Sequence, residues 1–207
     1  VNARCIYNPL NHDEVIKKAK KKSKKIFTNK KQLKILNIGR FTEQKDQMTL
    51  LKSLNQIKET VKFEAVIIGR GKLYKKLQEY ISNNNLGRII KIVDFVENPF
   101  PLLKQTELFI LSSKYEGLPN VLLEALTLKK FIISSECHTG PKEILLNGKG
   151  GLLFNVGNSD QLAKKIMYYE KNKKKCLNMI KYEMKKLHRF DYQINLKKYL
   201  NLVNQIN

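Results

Sequence analysis

Two glutamates, Glu116 and Glu124, stand at either end of a Gly-Leu-Pro-Asn-Val-Leu-Leu run near the middle of the sequence. Pro119 is typical of the first position of a helix, so we predict a helix over residues 119–128, with Glu124 about 7.5 Å along its axis. Backbone N–H groups at such a helix start lack partners and attract an anion. Carboxylates would repel that anion, so we expect the two glutamates to bind hydroxyls on either side of it. The N–H groups concerned are those of Leu118, Asn120 and Val121.

Two cations, Arg40 and Lys45, follow Gly39 at the end of a short apolar run. A helix is predicted over residues 46–58, so this loop lies beside a helix N-terminus, which carries a partial positive charge. Arg40 offers a planar fork of donors and Lys45 a point charge, a combination that suits a diphosphate. In a chain this rich in lysine, two solvated loop cations are the alternative interpretation.

Gly69 and Gly71 follow a second apolar run and begin like a dinucleotide-binding fingerprint. That fingerprint fails because Tyr74 stands at the position of its third glycine. A Walker phosphate loop fails because Val66 and Leu73 occupy required positions. We interpret the two glycines as a tight strand-to-helix turn, and close approach of their backbone to a bound nucleotide is the alternative.

Short apolar runs and amphipathic segments alternate along the chain, which predicts an α/β fold. The predicted strands are residues 34–38, 63–68, 89–93, 108–111, 131–134 and 151–154. The predicted helices are residues 46–58, 73–81, 101–105, 119–128 and 159–170, followed by a helical tail. Strands that are apolar on both faces and separated by helices indicate a doubly wound, Rossmann-like sheet of six parallel strands. Ligands of such sheets bind beyond the carboxyl ends of the strands, where the motifs above lie.

The composition is strongly basic, because 207 residues carry 40 Lys and Arg against 18 Asp and Glu, a net charge of +22. Ten lysines lie between residues 17 and 34, and a second cluster covers residues 164–189. Solvated lysines, from a general bias toward Lys, Asn and Ile, are the favoured interpretation, and an anionic membrane surface is the next. Nucleic acid is disfavoured because we find no zinc-binding spacing, RNP-like strand or helix-turn-helix pattern.

The three cysteines, Cys5, Cys137 and Cys176, are odd in number and widely spaced. This argues against a disulfide framework and for a reducing compartment. No apolar run approaches the length of about 18 residues that spans a membrane. The first residue is Val rather than Met, so we expect a trimmed chain or an excised domain.

Together these motifs resemble the C-terminal, donor-binding half of a retaining GT-B glycosyltransferase of family 4. Its signature pair of glutamates, separated by seven residues, is matched by Glu116 and Glu124. The other matched elements, in the family's order, are an Asn-Pro element at residues 6–10, the Gly-Arg loop at residues 38–41 with Lys45, a Gly-Pro-x-Glu-Ile element at residues 139–144 and a Gly-Leu-Leu strand at residues 150–154. The sequence departs from the family where Asp46 and Asp94 replace common glycines.

By this resemblance the chain binds a nucleotide-diphospho-sugar, expected to be UDP-linked, and its family transfers the sugar with retention. Arg40 and Lys45 would neutralise the diphosphate, which accepts the acceptor's proton as it leaves. Glu124 would hold the ribose and Glu116 the transferred hexosyl group. The implied catalytic residues are Glu116, Arg40 and Lys45, and the implied donor-binding residues are Gly39, Arg40, Lys45, Gly69, Glu116, Gly117, Leu118, Pro119, Asn120, Val121 and Glu124. The family needs no metal or other cofactor, and the sequence has no Asp-x-Asp metal motif.

The resemblance also implies partners beyond the donor site. A GT-B enzyme has an N-terminal domain, in the same or another chain, that binds the acceptor, here a glycan or lipid-linked acceptor of surface polysaccharide or lipopolysaccharide. We therefore expect the chain alone to be inactive, and the enzyme to be cytoplasmic, with peripheral attachment to the inner face of the cytoplasmic membrane. The expected segments are a junction with a lysine-rich stretch (1–33), the donor-binding domain (34–170) and C-terminal helices (171–207). The alternative is a non-catalytic Rossmann-like interaction module with a basic face for a membrane or nucleic acid.

Overall fold

The computed structural model describes residues 5–29 and 31–205. Residues 1–4, 30, 206 and 207, which fall in the first and last predicted segments, lie outside the described residues. Its strands are β1 (Leu33–Ile38), β2 (Phe63–Ile68), β3 (Ile90–Val93), β4 (Leu108–Leu111), β5 (Phe131–Ser135) and β6 (Leu152–Phe154). They form one sheet of six strands in the order β3-β2-β1-β4-β5-β6, and every pairing is parallel. The predicted doubly wound α/β sheet is confirmed.

Helices cover both faces of this sheet. In the described residues they are α1 (His12–Ala19), α2 (Gln47–Ile57), α3 (Tyr74–Asn83), α4 (Phe100–Lys104), α5 (Asn120–Thr127), α6 (Pro141–Ile144), α7 (Ser159–Lys171), α8 (Lys173–Met184) and α9 (Tyr192–Val203), with a 3-10 turn at Leu187–Phe190. Helices α2, α3, α7 and α8 share one hydrophobic core with the sheet, and α4, α5, α6 and the 3-10 turn share the other. In this part of the chain we find no helix with the length and apolar character to cross a membrane.

Strand β2 shows why the sheet is buried on both sides. All of its residues are buried. Ala65 and Ile67 point into one core, whereas Val66 and Ile68 point into the other, since successive side chains of a strand alternate. Burying a large aliphatic side chain stabilises a fold by about 1.5–3 kcal/mol, so a continuous apolar run is stable only between two helical layers.

The sheet changes direction at its centre. Strand β1 pairs with β2 on one side and with β4 on the other, so the chain winds outward in opposite directions from this point. The helices that follow β1 and β4, α2 and α5, therefore pack on opposite faces of the sheet, and the crevice of such a fold lies at the carboxyl ends of these two strands. Such a switch point is where ligands of open α/β sheets bind.

The structure corrects the bounds of several predicted elements, and among these the start of α5 matters most for the site. Pro119 has an extended backbone (ψ 102°) and lies immediately before α5, which begins at Asn120 rather than at the proline. Strands β2 and β4 have the predicted bounds, and β1 begins at Leu33, one residue earlier than predicted. These shifts of one residue leave the motifs on the same edge of the sheet.

Helix α1 lies in the lysine-rich stretch, where no element was predicted. The Asn11 side chain caps it by accepting a hydrogen bond from the Glu14 N–H at 3.0 Å. Asp13 and Glu14 follow in its first turn, and Val15 and Ala19 are buried, with the helix packed on α4 and α5. An asparagine cap followed by acidic residues is a known signal for a helix start. The signal is short here and is followed by a long run of lysines, so it did not lead to a predicted helix.

Residues near the start of the described chain are attached to its C-terminal part. The Leu10 N–H donates to the Phe190 carbonyl oxygen at 2.9 Å, and the Tyr7 ring packs against that of Phe190, with centroids 4.7 Å apart. The Tyr7 hydroxyl donates to the Glu143 carboxylate, and this bond raises the pKa of Tyr7 to about 12. The Asn-Pro element and the Gly-Pro-x-Glu-Ile element are thereby joined.

Candidate functional site

The two loops that carry the predicted motifs lie side by side in the crevice. One is the loop after β1 (residues 39–46) and the other is the loop after β4 (residues 112–119). Three hydrogen bonds to backbone oxygens connect them: Lys114 N to Gln44 O at 2.7 Å, Gln44 Nε2 to Tyr115 O at 3.1 Å, and Ser112 Oγ to Lys45 O at 3.0 Å. Lys45 and the first glutamate are therefore neighbours in space.

Lys45 and Glu116 form an ion pair that links these loops. The Lys45 Nζ lies 2.5 Å from the Glu116 Oε1, and the side chains are only 18% and 8% exposed. The Ser113 hydroxyl donates to the same oxygen at 2.6 Å. The sequence patterns assigned Lys45 to an anion and Glu116 to a sugar, but they did not predict that the two would pair with each other.

A third loop fixes the backbone of Glu116 from the other side. The Thr139 hydroxyl donates to the Glu116 carbonyl oxygen at 2.5 Å. Gly140 has a positive φ of 83°, and a Cβ atom there would collide with the carbonyl oxygen of Gly117. The Gly-Pro-x-Glu-Ile element thus holds the glutamate loop through contacts that only a glycine permits.

The N-terminus of α5 follows the loop after β4 and has no side-chain cap. Pro119 precedes the helix. The Leu122 N–H bonds to the Pro119 carbonyl oxygen. Among the described residues the structure assigns no acceptor to the N–H groups of Leu118, Asn120 and Val121. This end of the helix therefore has the unpaired donors that an anion requires.

Glu124 lies farther along α5 and lines a cavity of about 530 Å³. Its carboxylate has no hydrogen bond or ion pair within the described ranges, and burial raises its pKa. Gly39, Arg40 and Gly69 line the same cavity, and Arg40 is exposed. An unpaired, half-buried carboxylate at a cavity wall can accept hydrogen bonds from ligand hydroxyls.

Arg70 and Phe95 were not predicted as site residues, yet both line this cavity. The Arg70 guanidinium lies over the Phe95 ring, 4.5 Å from its centroid, and the ring is 55% exposed. Each follows the carboxyl end of a strand, Arg70 after β2 and Phe95 after β3. Their position at that edge is the signal that could have identified them.

The structure supports the tight-turn interpretation of the two glycines after β2. A Cβ atom on Gly69 would collide with the Gly39 carbonyl oxygen, and one on Gly71 would lie 2.5 Å from the Phe41 carbonyl oxygen. The two loops therefore pack backbone against backbone. Gly69 also lines the cavity, so close approach to a ligand is compatible with the same geometry.

Asp46 stands where the resembled family commonly has glycine, and its geometry shows why aspartate fits there. Its backbone is left-handed (φ 43°, ψ 50°), a conformation that glycine adopts freely and aspartate tolerates better than most residues. Its carboxylate also caps α2, accepting from the Thr49 N–H at 3.3 Å and the Thr49 hydroxyl at 2.6 Å. The aspartate thus keeps the turn and adds a helix cap.

Within the described ranges we find no group of three or more His, Cys, Asp or Glu side chains that could hold a metal ion. Whether the site works without a metal stays a prediction, as do the three predicted segments and the role of each site residue.

Comparison with known proteins identifies a sequence family and several relatives. Residues 18–186 match the sequence family described as glycosyl transferases group 1. The chain is 44% identical over 111 residues to the uncharacterized glycosyltransferase MJ1059 of Methanocaldococcus jannaschii, covering 53% of this chain and 27% of that protein. It is 29% identical over 128 residues to the N-acetylgalactosamine-N,N'-diacetylbacillosaminyl-diphospho-undecaprenol 4-alpha-N-acetylgalactosaminyltransferase of Campylobacter jejuni, covering 62% of this chain and 34% of that protein. The chain thus spans about a third of the length of the curated relatives it matches.

Solved structures show the same fold. A glycosyltransferase from Rickettsia africae superposes with a TM-score of 0.83 at 20% identity, over 97% of this chain and 56% of that one. The Anabaena protein Alr3699/HepE, solved in complex with UDP, superposes with a TM-score of 0.83 at 18% identity, over 97% of this chain and 57% of that one. The fold is therefore that of one half of a GT-B structure.

Proposed function

Since the chain belongs to the group 1 glycosyltransferases, we propose that it binds a nucleotide-diphospho-sugar donor, UDP-linked, and transfers the hexosyl group with retention. One observation carries the proposal: the Lys45–Glu116 pair, the uncapped start of α5 and the cavity lined by Arg40 and Glu124 are all built by the segments that follow β1 and β4. Two structural neighbours, Anabaena Alr3699/HepE and S. aureus TarM, were solved with UDP, and the first was also solved with UDP-glucose.

In this proposal the diphosphate lies over the start of α5. The open N–H groups of Leu118, Asn120 and Val121 donate to its oxygens, and the helix dipole adds favourable charge. Arg40 at the cavity wall and Lys45 beside Glu116 supply positive charge from the neighbouring loop. Because two cations and a helix end already neutralise the diphosphate, no metal is required in this proposal.

The nucleoside extends from the diphosphate into the cavity. Glu124 has an unpaired carboxylate on the cavity wall, so it accepts hydrogen bonds from the ribose hydroxyls. The base lies toward Arg70 and Phe95, whose stacked side chains offer it an aromatic and cationic surface. The volume of about 530 Å³ is within the range of small-ligand sites.

The transferred sugar lies toward Glu116 on the other side of the diphosphate. Glu116 accepts hydrogen bonds from sugar hydroxyls and so orients the anomeric carbon. The bond between that carbon and the diphosphate oxygen breaks as the acceptor oxygen attacks from the same face. The departing diphosphate takes the acceptor's proton, while Arg40 and Lys45 stabilise the charge that develops on it.

The acceptor site belongs to a second, N-terminal domain in this proposal, and the chain alone has little activity. The relatives matched here are about three times as long as the region they share with it. The acceptor in this proposal is a glycan or a lipid-linked saccharide of surface polysaccharide. Two relatives are named for transfer to a diphospho-undecaprenol-linked saccharide, and a third is named for lipopolysaccharide core biosynthesis. We propose a cytoplasmic location at the inner membrane face, with the lysine clusters facing anionic lipid rather than nucleic acid.

A nucleotide panel tests the donor site directly. UDP, GDP and ADP are added at millimolar concentration and the melting temperature is measured. A hundredfold excess over Kd stabilises by about 2.7 kcal/mol, which raises the melting temperature by about 5–10 °C. Arg40→Ala and Glu124→Ala abolish the shift, whereas the exposed control variants Arg88→Ala and Glu79→Ala retain it.

Absence of a shift with every nucleotide would overturn the proposal. A protein that co-purifies with the chain would then favour the non-catalytic interaction module. Retention on DNA or RNA that falls steeply with salt would favour nucleic acid instead.

A further inference from the structure

The Glu116 carboxylate is held asymmetrically. Its Oε1 atom accepts both the Lys45 ammonium at 2.5 Å and the Ser113 hydroxyl at 2.6 Å. Within the described ranges the structure assigns no hydrogen bond to Oε2. One oxygen is therefore occupied by the protein, and the other is available to a ligand.

The two partners of Oε1 respond differently to an anionic ligand. Lys45 is a cation, and a diphosphate in the crevice competes with Glu116 for its charge. Ser113 is neutral, so a diphosphate does not attract its hydroxyl away from the carboxylate. When the Lys45 ammonium moves toward the diphosphate, the hydrogen bond from Ser113 to Glu116 therefore remains.

Ser113 is itself fixed before any ligand arrives. It is fully buried, and its carbonyl oxygen accepts hydrogen bonds from the Ser135 hydroxyl at 2.6 Å and the Cys137 thiol at 3.2 Å. Both donors are buried and belong to β5 and the loop that follows it. The hydroxyl therefore projects from a position that is held by the next strand of the sheet.

From this arrangement we propose that Ser113 is a positioning residue for the sugar. It holds Glu116 by Oε1, so that Oε2 stays directed to the transferred sugar when the diphosphate attracts Lys45. This inference rests on the proposed function, because it assumes that Glu116 contacts the sugar and that a diphosphate binds beside Lys45. The inference goes beyond the proposed function because it assigns a role to Ser113, a residue that contacts neither the sugar nor the diphosphate.

The test separates sugar binding from diphosphate binding. The dissociation constants of UDP, UDP-glucose and UDP-N-acetylglucosamine are measured by calorimetry for the whole chain and for Ser113→Ala. We expect an unchanged Kd for UDP and a loss of about tenfold in the preference for the sugar nucleotide over UDP, the size of a hydrogen bond to a charged group. Ser113→Cys keeps the size and a weak donor, and it retains an intermediate preference.

Ser53→Ala is the matched control, because it too removes a buried hydroxyl, one that donates at 2.7 Å to a backbone carbonyl oxygen of α2 rather than to Glu116. Circular dichroism and melting without ligand establish whether each variant is folded. If Ser113→Ala is unfolded, the sugar-nucleotide preference of Ser113→Cys tests the positioning role. A wild-type chain that binds no nucleotide contradicts the proposed function itself. A wild type that prefers the sugar nucleotide, with the preference intact in Ser113→Ala, overturns the positioning role. Equal weakening of UDP and sugar nucleotide also overturns it, because the serine would then only support the loop.

Discussion

Replacing Glu116 by glutamine should tighten the binding of UDP, although Glu116 is a proposed catalytic residue. In the structure the carboxylate holds Lys45 at 2.5 Å, with both side chains largely buried. Glutamine keeps the shape and the hydrogen bond from Ser113 but removes the negative charge. Lys45 is then free to turn to the diphosphate, and a repulsive charge near the phosphates disappears.

The magnitude follows from the geometry of the pair. Two unit charges about 4 Å apart attract by about 4 kcal/mol at an effective dielectric constant of 20. Desolvation and side-chain ordering offset most of this, so the pair is worth about 1–2 kcal/mol net. Recovering that amount in the complex lowers the Kd for UDP by about five- to thirtyfold.

Calorimetric titration of UDP at low and high salt measures the effect. The gain should shrink only modestly as ionic strength rises, because the side chains of the Lys45–Glu116 pair are largely buried and buried charges are screened less than exposed ones. Glu79→Gln, on the exposed face of α3, removes the same charge at a distance and should leave the Kd unchanged. A sugar nucleotide should gain less than UDP, since it loses its contact with the carboxylate. If Glu116→Gln binds UDP as weakly as the wild type or more weakly, the ion pair does not compete with the diphosphate.

Three further substitutions have defined outcomes. Asp46→Ala removes the cap of α2 and places alanine in a left-handed backbone conformation. Chemical unfolding should therefore show a free energy of unfolding lower by about 2–3 kcal/mol, and Asp46→Gly should lower it much less. Gly140→Ala should weaken nucleotide binding by more than tenfold because it displaces the glutamate loop, whereas Gly157→Ala, with a similar φ but open space around it, should not. Burial raises the pKa of Glu183 to about 7 despite its ion pair with Arg189, so the folded state holds this proton more tightly than the unfolded chain, and stability falls as pH rises from about 4.5 to 7. Glu183→Gln should therefore raise the melting temperature by about 3–6 °C at pH 8 and have little effect at pH 4.5.

Each of these has an outcome that contradicts it. Equal destabilisation by alanine and glycine at position 46 would mean that the backbone conformation there carries no cost. Equal binding losses for the two glycine variants would assign the effect to chain stiffness rather than to the loop contact. A stability gain that is the same at both pH values would show that position 183 matters through packing and not through its charge.

The sheet and the location of the motifs could be predicted because both depend on local patterns. Apolar runs such as residues 63–68 and 108–111 have the observed strand bounds. Parallel strands bring all their carboxyl ends to one edge, so residues that follow β1 and β4 had to meet there. Neither step requires knowledge of any side-chain contact.

The pairing of Lys45 with Glu116 could not be predicted in the same way. The two residues are 71 positions apart, and their contact depends on how two loops pack rather than on either loop alone. The stacking of Arg70 on Phe95 is of the same kind, since each side chain comes from a different strand end. Sequence patterns predict which residues lie at this edge of the sheet, but the contacts between their side chains depend on tertiary packing.

The hydrogen bonds between the loops after β1 and β4 have a consequence for engineering. The loop after β4 is bonded to Gln44 and Lys45 through Ser112, Lys114 and Tyr115. The two loops therefore hold each other in a fixed relative position. A chimera that takes one loop from a relative without Gln44 or Ser112 would lose a side-chain bond between the loops and would shift Lys45 relative to Glu116. Exchange of specificity between members of the family therefore requires transplanting the two loops together.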